Sequence, residues 1–318
     1  MPDAARPKTD FTGLLEALRA AGEATRLRLL RLLAREELSV MELVSILGQS
    51  QPRISRHLKL LTEAGLIERF PDGAWVFYRL SPAHDVRPLV EAILALMDDA
   101  HIDDLAQLEA VRLARRTSAE GYFETIAPKW DEIRSLHADE AEVERVILRL
   151  AGQAAYDSLV DLGTGSGRML VLLGGPAQAA FGVDLSQHML NLARARTHAA
   201  GLDHVEFRHG DIHDTRLPDE SANLVVIHQV LHFLSDPGRA IAEAARLLAP
   251  AGRLLIVDFA HHDNEQMREQ YQHRRLGLLD EDMHAWLGAA GLREDANLSL
   301  PPKASAGLTV KIWLAHKD

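Results

Sequence analysis

One stretch constrains the fold of this chain more than any other: residues 158–173, SLVDLGTGSGRMLVLL. The apolar run Leu159–Leu162 has the length and character of a buried strand. It runs into three glycines at alternate positions, Gly163, Gly165 and Gly167, and then into an apolar helix. A strand, a tight glycine turn and a helix in that order define the first half of a βαβ unit, in which bare backbone comes close to a ligand. A phosphate cradle favours the wider G-x-G-x-x-G spacing. Here the pattern is D-x-G-x-G-x-G, and the carboxylate of Asp161 beside the turn disfavours a pyrophosphate and suits a cationic amino group.

The same rhythm continues downstream. A second strand, 180–184, ends in Asp184, placed to take both hydroxyls of a ribose. Met189, on the next helix, either covers an adenine face or is ordinary core. A third strand, 205–208, leads into His209-Gly210-Asp211-Ile212. Asp211 there can accept an adenine amino proton and Ile212 can pack on the ring. The fourth, 224–227, ends at His228-Gln229-Val230, on the carboxyl edge where open α/β sheets hold ligands. The fifth is 253–258. Strands alternating with helices imply a parallel sheet.

The first hundred residues read differently, as four helices, a hairpin and a further helix. In MELVSILGQSQPRISRHLKLLTEAGLIERF (41–70), a helix over 40–47 stops at Gly48, and Ser50 is placed to cap the next. Pro52 falls in the first turn, where a missing N–H costs little. Ile54, Leu58 and Leu61 form a buried stripe, which leaves Gln51, Arg53, Ser55, Arg56 and Lys59 pointing outward. Such a helix fits the DNA major groove, with Arg and Gln on base edges and Lys or Ser on phosphates. A hairpin follows, turning at Asp72-Gly73, with Arg69 and Arg79 placed to touch the backbone or minor groove. His57 reads as a packing or phosphate contact.

Charge supports this division of labour. Residues 1–100 carry 13 Lys+Arg against 14 Asp+Glu, and the remaining 218 carry 22 against 32. The first part is close to neutral with its positive charge concentrated; the second suits a small ligand better than a nucleic acid. The expected organisation is a DNA-binding and dimerisation domain over 10–100, a helical linker over 101–118 and a ligand domain over 119–318. The apolar spacing across 86–97 fits a dimer helix. The start, MPDAARPKTD, lacks a signal-peptide pattern, no uncharged apolar run reaches 18 residues, and no cysteine is present. A cytoplasmic protein with no membrane span, disulfide, thiolate nucleophile or Cys-based metal site is expected.

The stretch GQSQPRISRHLKLLTEAGLIERF resembles the recognition region of the ArsR family of bacterial repressors. That resemblance implies a winged helix-turn-helix homodimer that meets two half-sites of an operator on double-stranded DNA and leaves when a ligand binds. Metal-sensing members carry Cys-x-Cys before the recognition helix; the matching stretch here is Glu37-Leu-Ser39-Val-Met41. The other material for a metal site, His84, Asp98, Asp99 and His101, is poorly spaced, and no metal is expected.

The ordered set of glycine turn, Asp184 and Gly210-Asp211-Ile212 resembles the class I S-adenosylmethionine-dependent methyltransferases over 119–318. The resemblance implies an α/β, Rossmann-like seven-stranded sheet with an antiparallel last strand, for which 308–314 fits. It also implies that Gly163, Gly165 and Gly167 lie under the methionine part of S-adenosylmethionine or S-adenosylhomocysteine, that Asp184 holds ribose, and that Asp211 and Ile212 hold adenine. Tyr122, Phe123 and Trp130 read as a lid over the cofactor or as helix packing at the sheet edge. Candidate bases around the methyl position are His228, Gln229, His232, Asp258, His261 and His262. His228 and His261 stand for the catalytic role if there is one, and His228 also as a ligand contact. Two readings stay open. In one, the second domain senses the nucleoside for a transcriptional regulator of methionine-cycle genes. In the other, it is a working small-molecule methyltransferase with an autoregulatory DNA-binding head.

Overall fold

The computed structural model describes residues 11–72, 75–81, 86–97, 102–126, 140–152, 154–302 and 307–318. The chain separates into two compact units, Met1–Thr117 and Ser118–Asp318.

The first unit is built from helices α1 (Phe11–Ala21), α2 (Ala24–Leu33), α3 (Val40–Leu47) and α4 (Gln51–Glu63), then strands β2 (Ile67–Asp72) and β3 (Trp75–Leu80), then α5 (Arg87–Leu96) and the part of α6 (Ile102–Ile126) up to Thr117. A short strand β1 (Leu38–Ser39), absent from the sequence reading, pairs antiparallel with β3 and makes a three-stranded sheet. Two residues are too few for a pattern to register. α3 starts at a capping box, Ser39 with Glu42, and stops at Gly48 with φ 62. Ser50 occupies the N-cap position of α4 but makes no side-chain cap bond, contrary to expectation. Ile54, Leu58 and Leu61 of α4 are wholly buried with Leu29, Leu30, Leu38 and Leu43. Tyr78 of the hairpin joins that core, and Val76 and Leu80 pack against it. On the other face Phe77 stacks on Phe70 at 5.9 Å. The hairpin therefore alternates between its two faces; Gly73 lies outside the described residues. The 86–116 region is two helices, because Met97 turns extended at the end of α5. Arg28 reaches Asp104 of α6 with both arms of its guanidinium (2.6 and 2.5 Å), and Arg112 reaches Glu36 (2.6 Å). These pairs bind α6 to the helical core.

The second unit is a seven-stranded sheet flanked by helices. Its strands are β4 (Ser158–Leu162), β5 (Ala179–Asp184), β6 (Val205–His209), β7 (Ala222–His228), β8 (Leu248–Phe259), β9 (Leu292–Leu300) and β10 (Val310–Lys317), in the order β6-β5-β4-β7-β8-β10-β9. Pairing is parallel from β6 through β8, and β10 runs antiparallel to both its neighbours. The expected fold class is the one observed. The last strand sits two residues later than expected at its start. β9 went unread because the charged run Arg293-Glu294-Asp295 interrupts its apolar alternation. The helices are α7 (Glu140–Ala151), α8 (Arg168–Leu173), α9 (Gln187–Ala199), α10 (Pro237–Leu247), α11 (Gln266–Tyr271) and α12 (Asp280–Ala289). Each sheet face has its own core, one around Leu159, Leu170, Val226 and Ile312, the other around Val160, Leu162, Ile241 and Trp313. The order reverses between β4 and β7, so the loops after these strands diverge and open a crevice at their carboxyl ends. Among the described residues no helix is long and apolar enough to cross a membrane.

Candidate functional sites

The glycine turn leaves β4 and folds over β5: the N–H groups of Gly163 and Thr164 both donate to the Val183 carbonyl (2.8 and 3.0 Å). Gly163, Gly165 and Gly167 all have positive φ (75, 51 and 79). At Gly163 a Cβ would run into the Val230 side chain, and at Gly167 it would meet the Cα of Ala193 on α9 at 2.9 Å. Nothing larger than hydrogen fits at either position. The turn therefore presents backbone alone, at the point where the loop after β7 comes against it.

Asp184, at the tip of β5, is 9% exposed. One carboxylate oxygen accepts the Gly165 N–H (2.7 Å) and the other the Ser186 N–H (2.8 Å). Burial raises its pKa above the ordinary range, opposed by those two backbone bonds and by His209. The acid and the turn are thus one unit, locked by a charge-assisted bond.

Asp161 departs from expectation. It does not stand beside an open cleft; it is 1% exposed beneath the turn, with one oxygen accepting the Thr164 hydroxyl (2.6 Å) and the other buried without a partner among the described residues. Burial pushes its pKa up to about 7, and the nearby charge of Asp184 adds to this. A carboxyl whose folded-state pKa is raised stabilises the fold fully below its ordinary value of 3.8, and that stabilisation is lost as pH rises through about 7. The wild-type ligand domain is expected to lose stability between acidic and neutral pH, up to about 4 kcal/mol from this group. Asp161→Asn should remove most of that slope in thermal unfolding followed from about pH 5 to about pH 8. Asp184, whose shift has the same sign, supplies the slope that remains.

The other expected ligand residues divide. Asp211 follows β6 and keeps a side chain 36% exposed. Ile212 is 6% exposed and belongs to the core on one sheet face. Met189 is 1% exposed, the packing alternative of the two readings. His228 closes β7 at 9% exposure. Next to it Gln229 has φ 54, with its main-chain N–H on the Val257 carbonyl (2.7 Å) and a buried side-chain nitrogen without a partner among the described residues. A strained non-glycine residue at the crevice is the kind of feature that functional sites retain. Sequence reasoning gave Gln229 no special weight, because strain leaves no compositional trace. Tyr122, Phe123 and Trp130, the expected lid, have side chains outside the described residues, as do His84, Asp98, Asp99 and His101.

The grouping of candidate bases is corrected as well. His232 and Asp258 form an interior pair: Nδ1 lies 2.6 Å from the carboxylate, with exposures of 1% and 0%. The His232 ring packs between Phe233 (4.1 Å) and His273 (4.0 Å). His261 is exposed, held through its main chain to Leu278, and His262 is half-buried. Adjacent positions at a strand end point in different directions, so sequence neighbours do not share one cavity. Among the described residues no cluster of three metal-ligating side chains occurs.

On the first unit, α4 exposes Gln51, Arg53, Arg56 and Lys59, with Ser55 half-buried. Lys59 lies 3.7 Å from Glu63 one turn on. Arg69 is exposed on β2. Arg79 differs from expectation: it pairs with Glu68 and Glu37 and lies over the Phe70 ring at 4.8 Å. Two carboxylates neutralise it, so it braces the hairpin instead of offering charge to a duplex. His57 is packed, 3.5 Å from Glu23, and burial holds its pKa below the ordinary value, aided by Arg26, Arg53 and Arg56 and opposed by Glu23.

Comparison with known proteins agrees with both halves. Residues 23–69 match the model of bacterial regulatory proteins of the arsR family, and residues 160–256 match a methyltransferase domain. The arsenic resistance transcriptional regulator ArsR1 of Pseudomonas putida is 47% identical over 91 residues, which is 28% of this chain and 69% of that protein. The uncharacterized methyltransferase YcgJ of Bacillus subtilis is 27% identical over 134 residues, 42% of this chain and 53% of that one. Among solved structures, N-methyltransferase NodS from Bradyrhizobium japonicum, in complex with S-adenosyl-L-homocysteine, superposes with a TM-score of 0.53 at 19% identity, covering 62% of this chain and 97% of that one. The chain spans about half the length of the first curated relatives it matches. The chain belongs to the arsR family of bacterial regulatory proteins, and its second unit has the class I methyltransferase fold.

Proposed function

We propose that this protein is a DNA-binding transcriptional regulator, acting as a homodimeric repressor, whose methyltransferase-fold domain binds S-adenosylmethionine or S-adenosylhomocysteine as effector, with genes of the methionine cycle as its targets. The observation that carries this reading is the bond between Asp184 and the positive-φ glycine turn, which sets an acid beside bare backbone at the crevice. A ribose diol would bridge the Asp184 carboxylate, an amino-acid tail would lie over Gly163–Gly167, and an adenine amino group would meet Asp211. The buried side-chain nitrogen of Gln229, without a partner among the described residues, fits a polar ligand that completes the site. When bound, S-adenosylmethionine brings a sulfonium methyl; the protein's part is to orient it and exclude water.

A second copy as partner is supported by α1, which exposes Phe11, Leu14, Leu15 and Leu18 along one stripe. The exposed basic face of α4 supports the operator as the other partner. Several relatives carry arsenic in their names, among them an arsenite methyltransferase of Halobacterium salinarum. This chain has no cysteine to bind trivalent arsenic as thiolate, and the nucleoside is the effector proposed.

The second reading, methyl transfer to a small molecule, draws on the strained Gln229 beside His228 at the crevice. One experiment separates the two. A gel shift on DNA upstream of the protein's own gene is titrated with each nucleoside, in parallel with a labelled-methyl assay against cell extract. A nucleoside-dependent change in operator affinity without transfer supports the sensor. Transfer with operator affinity indifferent to both nucleosides overturns it in favour of the enzyme. Regulation needs unequal affinity of the nucleoside for the DNA-bound and free states.

A further inference from the structure

His213 follows the proposed adenine acceptor by two residues and was not singled out by the sequence. Its side chain is 14% exposed. Its Nδ1 lies 2.7 Å from Oδ1 of Asp211, and its Nε2 lies 3.0 Å from the main-chain carbonyl of Asp236. The His213 main-chain N–H also donates to Asp211 Oδ1 (2.9 Å). Both ring nitrogens therefore face acceptors. A neutral imidazole has one N–H and satisfies one of them; only the imidazolium satisfies both.

The two acceptors lie on different segments. Asp211 is on the loop after β6. Asp236 is the N-cap of α10, its side chain accepting the Arg239 N–H (3.0 Å), and it ends the 228–236 segment that carries His228 and Gln229. The loop is fixed a second time where Glu243 of α10 accepts the Thr215 N–H and hydroxyl (2.9 and 2.6 Å). His213 is thus the cross-tie nearest the acceptor itself. The charged groups around it are Asp211 and Asp236; Asp214, 3.9 Å from Arg216; and Arg208, which donates to the Thr215 and Arg216 carbonyls. On α10, Glu243 and Arg246 pair with each other and with the loop.

Resting on the nucleoside reading above, we infer that His213 is a positioning residue that holds the Asp211 carboxylate for an adenine amino group and ties ligand affinity to its own protonation. In the imidazolium form the carboxylate is fixed and α10 is joined to the loop. Loss of one proton releases one of these links, and affinity falls as pH rises. The His213 contribution is read as the difference between variants at each pH.

The test is calorimetric binding of S-adenosylhomocysteine to the full chain, for wild type, His213→Ala and His213→Gln. Wild type should bind about tenfold more tightly than His213→Ala at about pH 6, and the ratio should shrink as pH rises to about 8.5. His213→Gln, which keeps one donor, should bind with intermediate affinity and a wild-type-to-variant ratio that also falls with pH. It serves as the reference if the alanine variant unfolds. A ratio constant with pH for the folded variants would reduce His213 to packing and overturn the inference alone. Failure of wild type to take up the nucleoside at any pH would remove the nucleoside reading itself, and this inference with it.

Discussion

Replacing Gly167 with alanine is expected to weaken nucleoside binding severely and to destabilise the ligand domain by about 2–4 kcal/mol. Two costs add. Gly167 has φ 79, a region that costs an L-residue roughly 1–2 kcal/mol. The new methyl would also meet the Ala193 Cα of α9 at 2.9 Å. That contact is with the backbone of the buried Ala193, so relief requires α9 to move away from the turn. Moving the turn displaces the Gly165 N–H from Asp184 and disturbs the site at its centre. Affinity for S-adenosylhomocysteine should fall by about 100-fold or more, since charge-assisted bonds and positioning are lost together. Gly175→Ala is the control, because a Cβ there meets open space. Calorimetric titration and thermal unfolding of both variants would check this. Wild-type affinity in a folded Gly167→Ala protein would mean that the turn does not carry the ligand.

The second large effect concerns the head. Arg53→Ala with Arg56→Ala should weaken operator binding by about 100-fold at physiological salt while leaving nucleoside affinity unchanged. Both residues lie on the exposed face of α4, away from the Ile54, Leu58 and Leu61 stripe that holds the helix in place. The fold should therefore survive. The salt dependence discriminates between their roles. If both arginines contact phosphate, the slope of log affinity against log salt should become shallower by about 2, at roughly 0.9 per contact. If they read base edges, the slope holds and discrimination against mutated operators collapses. Undiminished duplex affinity in the double variant would remove α4 as the reading helix. Arg79→Ala is the instructive comparison, since its charge is already spent on Glu68 and Glu37. Its loss should register in hairpin stability more than in DNA affinity.

The sequence by itself determined most of the elements and their kind, β1 and β9 excepted. Periodicity placed Ile54, Leu58 and Leu61 inside and the basic residues of α4 outside, because helical spacing is a local property of the chain. The alternate glycines demanded a turn that only backbone can fill, and positive φ at all three bears this out. Apolar runs at regular intervals marked the parallel strands, and the antiparallel last one followed from the resemblance to the class I methyltransferases. Tertiary structure alone decided what each polar group meets. Asp161 went beneath the turn, His232 and Asp258 paired in the interior, and Arg79 found two carboxylates. It also set the ring of His213 between Asp211 and the start of α10, across a gap of 23 residues. Desolvation, charge pairing and strain depend on neighbours brought from distant parts of the chain, and spacing along a sequence carries no record of them.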